Sequence, residues 1–379
     1  MPGLLPDVDP DGLLEYSVVY TDRALNHMSK KFQHVVTDIA AILKRAYNAR
    51  TAIIVPGSGT FGMEAVARQF VSGRKALVIR NGWFSYRWTQ IFDMGAIPSS
   101  SVVLKAQRTS SDHQAPFAPP AIDLVVSAIK AEKPDVVFAP HVETASGIIL
   151  PDAYLRAVAD AVHSVGGLFV LDCVASGAMW VDMVTTGVDV LVSAPQKGWS
   201  GPAGCALVML SDAARKRIDS TTSTSFAANL RRWLEIMEAY EGGGHQYHTT
   251  MPTDALAKLR DVMKEAEAQG FAKLKTAQQE LGNKVRAMLA ARGIRSVAAP
   301  GFEAPGVVVS YTDDPDLNNG RKFLAQGLQI AAGVPLQCDE PADFRTFRIG
   351  LFGLDKFYNI ERSVKSIEDA LDRMKQGIH

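Results

Sequence analysis

Three cysteines in 379 residues, Cys173, Cys205 and Cys338, are too few and too widely spaced for a disulfide scaffold. They form no CxxC pair, so a thiolate metal site is not expected either. His245 and His248 come nearest to a metal pair, but two imidazoles without a nearby carboxylate or thiol fall short of a protein-built site, and no metal is expected. Net charge is absent too: 40 Lys and Arg balance 40 Asp and Glu, which leaves no field to gather nucleic acid or an anionic membrane. The apolar stretches are strand-sized and interrupted by Gly, Pro or charge, so none is expected to span a bilayer. The opening run MPGLLPDVDPDGLLEY has no basic segment followed by an apolar core. Export is therefore not expected, and the cytoplasm is the expected compartment.

What is present is the composition of a globular protein, 47% hydrophobic and 21% charged, in a chain long enough for a large core and more than one lobe. Short runs rich in Val, Ile and Leu recur through the first two thirds: Ala52 to Val55, Ala76 to Ile79, Val102 to Leu104, Val136 to Phe138, Leu168 to Leu171, Val188 to Val192 and Ala206 to Leu210. Each reads as a strand buried on both faces. Periodic stretches between them, such as Phe61 to Phe70, Ala121 to Ala131 and Tyr154 to Val165, are long enough for crossover helices. The alternation predicts an α/β fold with a mostly parallel sheet covered by helices, with ligands bound beyond the C-terminal strand ends. After about residue 250 the pattern changes to long helices over Thr253 to Ala266 and Phe271 to Arg292. Strands at Val307 to Tyr311 and Thr346 to Ile349 and an amphipathic helix from about Asn359 to Met374 follow. This predicts a large domain over residues 16–255 and a smaller α+β domain over 256–379, joined by an N-terminal arm, 1–15.

Three segments carry chemistry. Pro56-Gly57-Ser58-Gly59-Thr60 lies between a strand and a helix, where glycines allow close backbone approach and unpaired helical N–H groups can meet an anion. It is neither a Walker A nor a GxGxxG loop, and a plain structural turn is the other reading. Gly167-Leu-Phe-Val-Leu171-Asp172 delivers an acid to the end of a central strand, as a ligand contact or as a cap. In Ser193-Ala-Pro-Gln-Lys197-Gly198 a strand ends in a lysine flanked by apolar and small residues. Partial burial and nearby cations would lower its pKa; a solvated surface charge is the alternative.

The chain resembles the class V aminotransferases of pyridoxal-phosphate (PLP) fold type I, and most of all their alanine–glyoxylate/serine–pyruvate and 2-aminoethylphosphonate–pyruvate branches. The matching text, in family order, is Gly57-Ser-Gly-Thr-Phe-Gly-Met-Glu-Ala65, Asn81-Gly-Trp-Phe84, His141-Val-Glu-Thr-Ala-Ser-Gly147, Val170-Leu-Asp-Cys-Val-Ala-Ser176, Ser193-Ala-Pro-Gln-Lys-Gly198, Tyr247-His-Thr-Thr-Met-Pro252 and Phe347-Arg-Ile-Gly-Leu-Phe-Gly353. The resemblance implies PLP held as a Schiff base on Lys197, with Asp172 paired to the pyridine nitrogen. It further implies Val174 and Phe84 against the two ring faces, Ser58, Gly59, Thr60 and Gln196 around the phosphate, and Thr144 beside the cofactor. Tyr247 and Thr250 would come from the neighbouring subunit of a homodimer, and Arg348 would clamp the substrate carboxylate. An Arg in the apolar run Phe-Arg-Ile-Gly also suits a planar carboxylate on chemical grounds, with a buried structural ion pair as its other reading.

The implied activity is ping-pong transfer of an amino group from a small donor to pyruvate or glyoxylate. A 2-aminoethylphosphonate donor is the alternative, toward which Thr60-Phe61 leans, and a PLP-dependent lyase is a further one. Cysteine desulfurase chemistry would need a mobile thiol, for which Cys338 is the only loop candidate. A PLP-fold binding subunit would be expected to lack Lys197, which is present. The chain departs from the family at Ala145, where a hydroxyl is usual, and at Leu4-Leu-Pro-Asp-Val-Asp-Pro10, which replaces a Pro-Gly-Pro style loop.

Overall fold

The computed structural model describes residues 13–376. The loop at Leu4 to Pro10 and most of the N-terminal arm lie outside them.

Seven strands form the main sheet: β1 (Thr51–Pro56), β2 (Lys75–Arg80), β3 (Ser100–Lys105), β4 (Val136–Pro140), β5 (Leu168–Asp172), β6 (Val190–Ser193) and β7 (Cys205–Leu210). Their order is β1-β7-β6-β5-β4-β2-β3, and β7 alone runs antiparallel to its neighbours. All seven apolar runs of the sequence contain strands, although β6 starts at Val190 rather than Val188, and β3, at the sheet edge, is exposed or half-buried rather than buried on both faces. β4, β5, β6 and β7 are buried at every residue, as unbroken apolar runs require once helices cover both faces. The covering helices include α1 (Lys30–Tyr47), α2 (Gly59–Phe70), α3 (Trp83–Gly95), α4 (Ile122–Glu132) and α5 (Asp152–Ser164). α1 starts where the Ser29 hydroxyl accepts the Phe32 N–H and stops at Asn48, which adopts the left-handed conformation. Trp88, on α3, is fully buried with its ring 4.5 Å from that of Phe138 on β4, which presses α3 onto the sheet.

Downstream, α6 (Thr253–Gln269) and α7 (Phe271–Ala291) lead to a three-stranded antiparallel sheet of β8 (Val307–Tyr311), β9 (Ala331–Ala332) and β10 (Thr346–Gly350), in the order β8-β10-β9. The terminal helix is α8 (Ile360–Lys375). The segment 313–319, expected as a surface loop, contains one short helical turn, Pro315–Asn318, capped by the Asp314 carboxylate. Backbone bonds stitch the two sheets together: Ala304 N–H to the Gly147 carbonyl and Ile149 N–H to the Phe302 carbonyl. A second apolar cluster, with Val142, Ala145, Val309 and Leu336 at its centre and Phe84 and Phe352 packed on it, fills the space between them.

The register of β5 against β6 pairs Asp172 with Val192. Buried Asp189 guards that register. One carboxylate oxygen accepts the Phe169 N–H at 2.9 Å and the His163 ring N–H at 2.7 Å, and the other accepts the Ser211 hydroxyl at 2.9 Å. Removing it strands a buried backbone donor. Asp189→Ala is expected to cost roughly 3 kcal/mol in denaturant unfolding, against under about 0.5 kcal/mol for a surface control such as Asp123→Ala.

Candidate active site

Five parallel strands end on one cavity of about 200 Å³. From the end of β1 come Ser58, Gly59 and Thr60. Past β2 come Phe84 and Arg87, past β4 Val142 and Thr144, past β5 Val174 and Ala175 after the terminal Asp172, and past β6 Gln196 and Lys197. This is where ligands bind in open α/β sheets.

The β1 corner offers free donors. Ser58 is the N-cap residue of α2, yet its hydroxyl makes no capping bond, so the first N–H groups of the helix are left for another acceptor. A Cβ on Gly59 would lie 2.7 Å from a Val174 methyl, so only glycine keeps this backbone open beside the cavity.

The β5 and β6 corners hold the titratable pair. Asp172 is 7% exposed, and among the described residues the one hydrogen bond of its carboxylate is from the Val174 N–H to Oδ1 at 2.9 Å. Burial, reinforced by Glu143, pushes its carboxyl up to about 7, against smaller downward pulls from the Val174 N–H and Arg87. Lys197 is half-buried with Nζ 5.4 Å from the Phe352 ring centroid. Burial first, then the charge of Arg348, hold its amine below the usual lysine range. The next residue, Gly198, tolerates no side chain, since a Cβ there would fall 2.1 Å from the Gly177 carbonyl oxygen.

Arg348 borders the cavity without being part of its wall. It sits in mid-β10, opposite Val309 on one side and Ala331 on the other, with Nε donating to the Ala332 carbonyl at 2.7 Å. Its guanidinium lies 5.5 Å from the Phe84 ring centroid, and among the described residues no carboxylate forms an ion pair with it. A buried structural ion pair is therefore not its role. Tyr247 and Thr250 are also outside the wall: both are exposed, and their hydroxyls are 3.1 Å apart.

Glu143 and Arg87 were given no role in the sequence. Glu143 is fully buried and accepts four bonds, from Phe84 N–H, Ser85 N–H, the Ser85 hydroxyl and Ala145 N–H, at 2.7–3.2 Å. It thereby caps α3 from across the sheet and fixes where Phe84 begins the helix. The contact spans 59 residues of sequence, so no local pattern signals it. Arg87 lies one turn beyond Phe84 on the same helix face, a spacing that could have flagged it.

No protein-family model matches the chain. It is 26% identical over 359 residues to the alanine–glyoxylate aminotransferase of Callithrix jacchus, covering 92% of this chain and 82% of that one. Against the 2-aminoethylphosphonate–pyruvate transaminase of Burkholderia ambifaria (strain MC40-6) it is 27% identical over 364 residues, 93% and 89% of the two chains. The small subunit of a soluble hydrogenase from Synechococcus sp. (strain PCC 6716) is 25% identical over 351 residues, 92% and 87%. In structure, the ureidoglycine–glyoxylate aminotransferase of Bacillus subtilis aligns with a TM-score of 0.76 at 21% identity, over 93% of this chain and 89% of that one. The chain has PLP fold type I, the fold of the aminotransferases it resembles.

The wall of the cavity suits PLP chemically. Uncapped helical donors at Ser58 to Thr60 match a phosphate, and a buried carboxyl that forms no ion pair among the described residues matches a protonated ring nitrogen. Thr144 faces the cavity while Ala145 is in the inter-sheet core, so the departure at Ala145 removes no hydroxyl from the cavity wall. Cys338 is buried, with its thiol pushed up to about 12 by burial, so the mobile thiol of a desulfurase is not available there. Among the described residues no group of three or more His, Cys, Asp or Glu could hold a metal, and His248 instead bonds the Phe226 carbonyl at 2.8 Å. No helix among them is long and apolar enough to cross a membrane.

A carboxyl raised in the folded state favours folding only while protonated. Its contribution is complete below about pH 4, the unfolded value, and is lost as pH rises through about 7. The span of about three pH units corresponds to roughly 4 kcal/mol. In cofactor-stripped protein, Asp172→Asn is expected to flatten the loss of stability between pH 5 and pH 8 by roughly 2.5 kcal/mol, the part of that span lost inside this window, measured by urea unfolding. Parallel pH slopes for the two proteins would contradict it.

Proposed function

We propose that this protein is a PLP-dependent aminotransferase that moves an amino group from a small amino donor to pyruvate or glyoxylate in a ping-pong sequence. The observation that carries this reading is the meeting of Lys197, Asp172 and the uncapped α2 terminus on one small cavity, with an unpaired Arg348 at its border. When bound, PLP supplies an aldehyde that takes up amino groups and a ring that draws electrons from the breaking bond.

The chain's own residues then have separable tasks. Asp172 holds a proton at the ring nitrogen. Lys197, whose amine is kept below its usual pKa by burial and by Arg348, carries a proton to and from the donor's α carbon. Ser58, Gly59, Thr60 and Gln196 take the phosphate, Thr144 adds a hydroxyl beside the cofactor, and Val174 and Phe84 wall the ring. The Arg348 fork receives the substrate carboxylate, its orientation fixed by the Ala332 carbonyl. The Lys197 loop and the Arg348 strand are tied by a bond from Leu354 N–H to the Ser200 hydroxyl at 3.0 Å, so proton carrier and carboxylate clamp keep a fixed relation.

Tyr247 and Thr250, exposed and outside the cavity wall, fit the reading that they complete the site of a neighbouring subunit in a homodimer. Residues 16–255 and 256–379 serve in it as large and small domains, and three buried free cysteines suit a reducing cytoplasm. A 2-aminoethylphosphonate donor is the second reading. It is favoured by the relative of that name and by the small, cation-bordered cavity, which suits a short anionic substrate.

Mixing the holoenzyme separately with alanine, serine, aspartate and 2-aminoethylphosphonate tests the reading. One donor should bleach the visible cofactor band, pyruvate or glyoxylate should restore it, and Lys197→Ala should do neither. A donor that is consumed while the visible band stays, with no oxo acid needed, would point to a lyase instead. Arg348→Gln is expected to raise KM for the oxo acid about 100-fold in steady-state kinetics, the worth of a charge-assisted fork. An unchanged KM would remove Arg348 from the substrate site.

A further inference from the structure

The cup at the end of β1 is built from neutral groups. Ser58, Gly59, Thr60 and Gln196 offer hydroxyl, amide and backbone donors, and the α2 terminus adds only about half a positive charge. A phosphate monoester carries about −1.5 to −2 near neutral pH. Enclosing it with neutral donors alone leaves most of that charge uncompensated in a partly buried site. Besides Lys197, whose amine the Schiff base takes up, one cation lines the cavity. Arg87 lines the same cavity, and Nη1 donates to the Thr60 hydroxyl oxygen at 3.0 Å. Its guanidinium also lies 5.2 Å from the Phe84 ring centroid, one helical turn back along α3. Among the described residues no carboxylate forms an ion pair with it.

We propose that Arg87 is the charge partner of the cofactor phosphate, acting through Thr60; the inference rests on the PLP reading above. A hydroxyl that accepts a bond from a guanidinium keeps its own hydrogen to donate, so Arg87 turns Thr60 from an ambivalent hydroxyl into an oriented donor. The long-range part of the attraction comes from the guanidinium itself. The same side chain rests on Phe84, so cup and ring wall share one support. A purely structural Arg87 would brace Phe84 and Thr60 without distinguishing a phosphorylated from an unphosphorylated ligand.

That difference is the test. Cofactor-stripped wild type, Arg87→Gln and Thr60→Val are titrated with PLP and, in parallel, with pyridoxal, which lacks the phosphate. Binding is followed by cofactor absorbance, and folding of each variant by near-UV circular dichroism. Arg87→Gln should weaken PLP binding about 10- to 100-fold, the range of a lost charge-assisted contact, and leave pyridoxal binding within about twofold. Equal losses for both ligands would assign Arg87 to the ring wall alone and overturn the proposal, as would no loss for either. If Arg87→Gln does not fold, Thr60→Val decides on the same criterion, with a PLP-selective loss expected and a non-selective or absent loss overturning it. Wild type that fails to bind PLP would instead sink the cofactor reading, an outcome separate from any variant's.

Discussion

Two loops pressed together backbone to backbone are the constraint on which the site depends. The turn after β5 and the turn after β6 meet where Gly198 lies against Gly177, with no room for a methyl group. One turn follows Asp172 and the other carries Lys197, so their contact holds an acid and an amine on one cavity. The parallel pairing beneath them, Asp172 opposite Val192, allows no slip. A shift of one residue would turn every side chain of β5 to the other face of the sheet, Asp172 included. Buried Asp189 holds the far ends of these strands, so the geometry is pinned at both ends.

From that anchor the other groups arrive in order of distance along the chain. β1, β2 and β4 present their ends beside β5 and β6 because parallel crossovers leave every strand pointing the same way. Glu143 then reaches across to cap α3, which aims Phe84 and, one turn later, Arg87. Arg348 comes from the other sheet and is held in relation to Lys197 by the bond between Leu354 and Ser200. Every charged group at the cavity is thus located by a contact to a different segment.

Much of this was legible in the sequence, for a physical reason. Strands buried on both faces must be short and apolar throughout, so the inner strands stood out, and edge strand β3 did so through Val102 to Leu104 although it is only half-buried. The segments at their C-terminal ends, with Ser58, Asp172 and Lys197, marked themselves by polar residues at the end of apolar runs. Harder to see were groups whose importance lies in a partner far along the chain. Glu143 appears within a family-like run, yet its hydrogen bonds to α3 have no local signature. Arg87 looks like an ordinary helical arginine until Thr60 is found beside it. α1 carries none of the chemistry-bearing motifs, and it earned no mention although its Phe32, Val35, Val36 and Ile39 are fully buried. Tyr247 and Thr250 are legible by resemblance alone, since within one chain they touch each other and not the cavity.

The buried carboxyl of Asp172 ties the fate of the polypeptide to its nutrition. On the proposed reading the protonated ring nitrogen of PLP stands beside this buried group, and filled protein would then outlast empty protein by the margin that this contact supplies. Proteases sample the open chain in proportion to its population. A cell short of the vitamin from which PLP is made would then hold fewer copies of this protein as well as fewer active ones, with no change in its synthesis.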